Sequence, residues 1–597
     1  MLRPIPTIIY DDDNLQGSIM SMSEVKKFED ILLTIQKPGR YTGGEWNSVR
    51  KVWTDDKVKF LLAFPDLYEV AMSHLGIKIL YGILNARQDA LCERVFAPWA
   101  DLEKALRENA LPLSSLESRK AMKEFDIVGF SLAYELSYTN VLNMLDLGGI
   151  PLRSDDRSDE DPVVIAGGPC CYNPEPMADF IDAFVIGDGE EIIGEIVDAY
   201  KECRVQGSGF GVQGTGMRKR FLRKLSGIEG VYVPSLYRVE YNEDMTVKNF
   251  SPTEDGLPDN IKKRVIRDLD TAYYPTDQIV PNIQVVHDRI TIEIMRGCKH
   301  ACSFCQASAV YAPPRQRSKD TILCLAEETY ERTGYDEISL LSLSSGDHSE
   351  IIGITKELNR IFKNRSVSIS LPSLRVEDIA EHLPALVSEV KKSGLTFAPE
   401  AASGILRKSI NKNIDMDKLF KAVTESYKLG WRRVKLYFMI GLPGEKEADL
   451  AEIPALVNKI SGLRRETGGG PANVAVSVNA FIPKPHTALE REAMETPEIL
   501  SVKRDLLKNT LRSKFAELSF HPIVMARMEA VFSRGDRRLS EAIIAAWRSG
   551  ARFDGWQEIF NMDLWIAAFK DSGLDPDFYS SRKRPKDEVL PWDFIKV

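Results

Sequence analysis

At 597 residues the chain is long for a single hydrophobic core, and length alone implies three or four domains. Its 44% hydrophobic and 28% charged residues are those of a globular protein, and a net charge of −9 argues against a broadly basic nucleic-acid binder. No run of about 18 uncharged apolar residues is present, so no membrane span is expected.

The first residues, MLRPIPTIIYDDDNLQGS, lack the basic region and apolar stretch of a secretion signal. Residues 1–50 read as an N-terminal extension, with Met20 or Met22 as alternative starts. From there to about residue 205, short apolar runs alternate with helical segments. VKFLLAF (58–64), CERVFAPW (92–99), DIVGFSL (126–132), PVVIAGG (162–168) and DAFVIG (182–187) are the strands. Buried runs alternating with helices imply a parallel sheet covered on both faces, a doubly wound, Rossmann-like α/β domain. Ligands of such sheets sit at the carboxyl ends of the strands. Here those ends carry Asp66, Ser131, Gly167, Gly168 and Gly187. Tight turns alone also call for glycines at such places.

Residues 206–285 read as a linker with short strands. It includes a Gly-rich connection at 203–217 and IEGVYVPSLYRVEY (228–241), which alternates like a strand pair. The basic stretches MRKRFLRKL (217–225) and SRKRPK (581–586) have the composition of a solvated helix face and tail, and leave a nucleic-acid partner open. Over 286–500, strand candidates at 290–297, 337–347, 366–375, 394–403, 432–445 and 474–487 are separated by helical segments. Six β/α units imply a partial barrel with its chemistry at the C-terminal face. The remainder, 501–597, reads as a small α-rich extension. There Arg534, Asp536, Arg537, Arg538, Asp554 and Trp556 form either a substrate mouth or a charged packing surface.

The first barrel strand runs into RGCKHACSFCQ (296–306), which places Cys298, Cys302 and Cys305 on one loop. Three thiolates there can hold three irons of a [4Fe–4S] cube and leave the fourth iron open to another ligand. A zinc site is the alternative, with His300 or Cys324 as a fourth ligand. The other cysteines (Cys92, Cys170, Cys171, Cys203 and Cys324) are scattered and show no disulfide framework, which fits a reducing cytoplasm. His486 and Lys484, in IPKPHT, suit a satisfied loop as well as a substrate or proton-transfer role.

The cysteine loop, LTFAPEAASGILRKSINK (395–412) and MIGLPGE (439–445) resemble segments of the radical SAM superfamily. FPDLYEVAMSHLGIKILYGILN, MEAVFSRGDRRLS and ARFDGW resemble one largely uncharacterised family within it, which carries an N-terminal cobalamin-binding-like domain. The resemblance runs from about residue 24 to the end. It implies that Cys298, Cys302 and Cys305 are catalytic as cluster ligands. It further implies that S-adenosylmethionine (SAM) is held by Phe304, the degenerate Ser344–Ser345–Gly346 segment, Glu400, Gly441 and Gly444. Glu400, which would contact the ribose hydroxyls, could instead satisfy a helix start.

A cobalamin site would use Asp66, Tyr68, Ser131, Gly167, Gly168 and Gly187. Tyr68 stands where the family places a cobalt-ligating histidine, and His74 is an alternative ligand. The expected reaction is reductive cleavage of SAM to a 5′-deoxyadenosyl radical, followed by cobalamin-dependent methyl transfer to an unactivated carbon. An external electron donor such as flavodoxin or ferredoxin would supply the cluster. Methylthiotransferase-like sulfur insertion and a non-catalytic iron–sulfur or corrinoid-binding sensor are the alternatives. The substrate is not readable from the residues.

Overall fold

The computed structural model describes residues 22–207, 216–371 and 395–597. The start of the N-terminal extension, most of the Gly-rich connection and the end of the third barrel segment lie outside the described residues.

The first domain is built on a six-stranded sheet. Its strands are β1 (Val58–Phe64), β2 (Ala90–Phe96), β3 (Ile127–Ser131), β4 (Val163–Gly167), β5 (Ala183–Val185) and β6 (Val231–Tyr232), in the order β2-β1-β3-β4-β5-β6. The first five are parallel and β6 is antiparallel to β5. Every residue of β2 is buried, and helices cover both faces. The helix Met217–Leu225 and β6 fall within the stretch read as linker, yet they complete this layer. Its basic residues do not all face solvent, because Arg218 is buried against Asp182. Segment 228–241 is no strand pair. Pro234 breaks it, so β6 joins the main sheet while β7 (Tyr237–Tyr241) pairs with β8 (Val247–Pro252).

The second half is a row of parallel strands in two sheets. After β9 (Ile261–Lys262) come β10 (Ile290–Glu293) and a short antiparallel neck of β11 (Met295–Arg296) and β12 (Arg315–Gln316). Then β13 (Glu337–Leu341) and β14 (Ser368–Ser370) pair with β10 in the order β10-β13-β14. A four-stranded parallel sheet follows: β15 (Leu395–Glu400), β16 (Arg433–Ile440), β17 (Asn473–Ala480) and β18 (Ala516–Phe520). The six expected strands are thus joined by a seventh, β18, from residues read as C-terminal extension. Along β16 the alternation is strict. Val434, Leu436, Phe438 and Ile440 are buried against helices, while Lys435, Tyr437 and Met439 face the half-open concave side.

The end of the chain returns to the middle. The strand β19 (Ile595–Lys596) pairs with β9, and Phe594 stacks on Phe250 with ring centres 3.8 Å apart. Phe594→Ala is expected to cost about 3–5 kcal/mol of stability, read as a lowered denaturant midpoint with unchanged iron content.

Candidate active site

The cysteine loop leaves the barrel at Gly297 and runs into the helix Gln306–Val310. Cys298, Cys302 and Cys305 form no disulfide among the described residues and are of intermediate exposure. Among the described residues, no three His, Cys, Asp or Glu side chains converge to hold a single ion. The candidate fourth ligands for zinc are engaged elsewhere. His300 Nε2 lies 2.8 Å from Asp347 Oδ2, and the exposed Cys324 thiol donates to Glu328. Three separate thiolates on one loop suit a cluster, in which each binds its own iron.

The strand ends close on this loop. Ser303 N–H donates to Ile410 O at 2.9 Å, Asn411 Nδ2 to Ala301 O at 2.6 Å, and Leu489 N–H to Ser303 O at 3.2 Å. Phe304 packs with Met439 and Leu489 against a buried cluster of Ala401, Leu406, Ile410, Leu442 and Phe481. From the other side, Asp347 binds Lys299 Nζ at 2.8 Å, so the Ser344–Ser345–Gly346 segment also meets the loop. Gly441 N–H donates to Glu445 Oε2, and Lys503 bridges Glu445 and Glu495 at 2.7 Å each. Among the described residues, nothing lies within 4 Å of where a side chain at Gly444 would begin. All the residues assigned to SAM except the open turn at Gly444 are therefore tied to the cysteine loop or to the strand ends that pack on it.

Glu400 is the strained member, with φ +66 at a bulge in β15. The following helix is capped by Ser403, not by Glu400, so the helix-start role falls away. Among the described residues its carboxylate makes no hydrogen bond, and Lys412 Nζ stands 3.8 Å off. Burial pushes its pKa from 4.5 up to about 7, against the pull of Lys412. Because the folded value is the higher one, its contribution to stability is whole below about pH 4.5 and is lost as pH rises through 7. Glu400→Gln is expected to flatten this part of the stability–pH curve and to weaken SAM binding, measured by chemical denaturation at several pH values and by equilibrium dialysis.

The carboxyl edge of the first sheet faces the barrel. Ser131 and Gly167 are register partners there, both partly accessible, and Ala133 beside them is exposed. Asp66 accepts from Trp556 Nε1 at 3.0 Å, and burial raises its pKa. Two residues assigned to the cobalamin site are engaged within the protein. Tyr68 is buried, donates its hydroxyl to Glu45 at 3.0 Å and packs edge-on against Phe96, so its hydroxyl is already engaged. Gly187 is needed because its backbone bridges to Arg264. A side chain there would begin 2.1 Å from Arg264 O, at φ +106. Gly168 packs similarly on Leu132 O, and His74 lies 5.6 Å from the Phe64 ring.

Between the two halves lies a charged cluster that only half surfaced in the sequence. Lys484 Nζ binds Glu135 at 2.6 Å and Glu529 at 2.8 Å, and Tyr134 donates to Glu529 at 3.1 Å. Burial would lower the Lys484 pKa, but the two carboxylates hold it above its usual value, while burial raises Glu135. His486 is a satisfied loop residue, with Nε2 2.8 Å from Tyr172 O. Of the C-terminal group, Arg534 donates to the carbonyls of Glu492, Ser580 and Arg582, Arg537 pairs with Glu175, and Arg538 with Asp536. Asp554 accepts from Thr139 and Trp565. These five are packing residues, and Trp556 alone reaches the sheet edge. Two hollows, of about 450 Å³ beside Pro112 and Lys123 and about 140 Å³ beside Lys78 and Tyr273, are lined by none of these site residues.

Two family models match the chain: "Radical SAM proteins, N-terminal" over residues 76–234 and "Radical SAM superfamily" over residues 292–457. An uncharacterised protein of Methanocaldococcus jannaschii is 28% identical over 514 residues, covering 86% of this chain and 97% of that protein. The ribosomal protein uS12 methylthiotransferase RimO of Thermoanaerobacter sp. (strain X514) is 22% identical over 177 residues, 28% of this chain and 40% of that protein. Among solved structures, the radical S-adenosylmethionine methyltransferase TsrM of Kitasatospora setae, with cobalamin and [4Fe–4S] cluster bound, has a TM-score of 0.47 at 15% identity, covering 71% of this chain and 75% of its own. The cobalamin-dependent S-adenosylmethionine radical enzyme OxsB has a TM-score of 0.46 at 11% identity, covering 86% and 72%. No helix of the described residues is long and apolar enough to cross a membrane. With one family model on each half, and with the three cysteines set among the strand ends at Glu400 and Gly441, the chain belongs to the radical SAM superfamily.

Proposed function

We propose that this radical SAM enzyme cleaves SAM reductively and couples the radical to cobalamin-dependent methyl transfer onto an unactivated carbon. The observation that carries the reading is the packing of Phe304, between Cys302 and Cys305, against the ends of β15, β16 and β17. Cys298, Cys302 and Cys305 would hold a cluster that would supply one electron to cleave the C5′–S bond of SAM, the resulting radical taking a hydrogen atom from the substrate carbon, and cobalamin would carry a methyl group from a second SAM to that carbon, a further electron from the external donor restoring the cobalt.

The chain's own residues orient and enclose. Glu400, free of hydrogen bonds within the described fold, is available to ribose hydroxyls, and the open turn at Gly444 leaves room for the adenine. Ser131 and Gly167, both partly accessible at the sheet edge, offer a place for cobalamin, bound without a lower ligand from Tyr68, whose hydroxyl is held by Glu45. Lys299 and Ala301 are exposed on the outer rim of the loop, where a flavodoxin or ferredoxin would approach. The sulfur-insertion reading needs a second cluster on N-terminal cysteines. Cys92 packs on one face of the first sheet, Cys170 and Cys171 on the other, so these three do not share a site.

Anaerobic reconstitution tests the proposal. About four irons per chain and formation of 5′-deoxyadenosine with dithionite and SAM are expected, whereas about eight irons would favour sulfur insertion. No SAM cleavage at all would leave a sensor. Purification with cobalamin supplied should give a corrinoid absorbance, and its absence removes the methyl-transfer half.

A further inference from the structure

We propose that Asp188 of the doubly wound domain is a positioning residue for the cluster loop, clasping both ends of the cysteine-bearing excursion across the domain boundary. The inference rests on the reading that this loop holds the cluster.

The excursion from Gly297 to Pro314 leaves the barrel on β11 and returns on β12. This neck is closed by two register pairs, Met295↔Gln316 and Arg296↔Arg315. Two guanidinium groups on one pair of facing residues repel each other. Asp188 stands between them, with Oδ1 2.9 Å from Arg296 Nη1 and Oδ2 2.6 Å from Arg315 Nη1. Glu190, two residues on, takes Arg296 Nη2 at 2.7 Å, and Glu293 of β10 takes Arg296 Nε and Nη2 at 3.0 and 2.8 Å. Arg315 also donates to Ile266 O, Pro313 O and Tyr311 O, which braces the return limb.

Asp188 is itself fixed. Its N–H donates to Arg264 O at 3.0 Å, its carboxylate accepts Ile266 N–H at 2.8 Å, and Gly187 before it is pressed on Arg264. The clasp passes directly to the first ligand. Gly297 has φ +86, and a side chain there would begin 2.6 Å from Tyr311 O, so the residue joining Arg296 to Cys298 lies flat on the return limb. Charge-assisted contacts of this kind are strong and directional, and partners that orient metal ligands commonly govern retention.

Hydrogen exchange over residues 297–314 and iron release to a chelator, on the full chain before and after reconstitution, test the clasp. Asp188→Asn is expected to speed exchange in this segment even without iron, to release iron about 10–100-fold faster, and to alter the EPR spectrum of the reduced cluster on adding SAM. Asp188→Glu should recover part of each effect. Should Asp188→Asn not accumulate as folded protein, Glu190→Gln carries the test, since it removes one contact to Arg296 and leaves Arg315 untouched. Exchange, iron release and spectra equal to wild type in these variants would overturn the clasp. A wild-type chain that never binds a cluster would sink the functional reading instead, and exchange in the iron-free protein would still judge the clasp.

Discussion

Cys302→Ala is expected to remove the broad visible absorbance of the reconstituted cluster and to bring 5′-deoxyadenosine formation down to background. Cys302 sits between the other two ligands, and its carbonyl accepts Cys305 N–H at 3.1 Å, so it also shapes the turn that presents Cys305. Two remaining thiolates would leave two irons of the cube without protein ligands, and a cube so held is lost to solvent and oxygen. Cys324→Ala is the matched control. That thiol is exposed on the helix Lys319–Thr333, and its removal should leave iron content and SAM cleavage unchanged. Retained cleavage in Cys302→Ala would overturn the ligand assignment.

The second large effect is expected at Lys484→Met. Its side chain, like those of Glu135 and Glu529, is less than a fifth exposed, so the substitution leaves two carboxylates facing each other in a poorly hydrated site. Breaking a buried ion pair from one side costs about 3–5 kcal/mol. The deficit carries a sign with pH. Burial already raises the Glu135 carboxyl and Lys484 pulls it down, so without the lysine it rises further, and the variant regains stability as Glu135 protonates on acidification and is worst at alkaline pH. Adding Glu135→Gln and Glu529→Gln should restore most of the loss, because neutral amides need no counter-ion. Denaturant midpoints between pH 5 and 9 decide the matter. A pH-independent loss would mean that packing, not charge, is what Lys484 supplies.

What could be read from the residues follows the range of the interactions. The three cysteines fall on one loop, and the alternation of β10, β16 and β17 is written locally, so the candidate cluster loop and the strands were legible. The strand β18 was not, since its exposed Glu517 and Ser519 interrupt the half-buried Ala516, Leu518 and Phe520 and leave no apolar run. Tyr68 was read as facing a cofactor because a motif position carries no sign of which way its side chain turns. Its partner, Glu45, comes from the extension ahead of the sheet. The clasp on Arg296 and the Lys484 cluster join residues far apart in the chain, Glu135 and Lys484 by 349 positions, and no local pattern announces such pairs.

The alternation along β16 and β17 divides what substitution can reach. Val434, Leu436, Phe438, Val474, Val476 and Val478 hold the sheet to its helices, so change there is felt as stability. Lys435, Tyr437, Ser477 and Asn479 project from the same two strands into the concave side, outside that core, while Met439 packs beside Phe304. Residues one position apart therefore answer to different physical constraints. On the proposed reaction, a library confined to the inward set would change which molecule meets the radical while the packed core of the two strands stays intact.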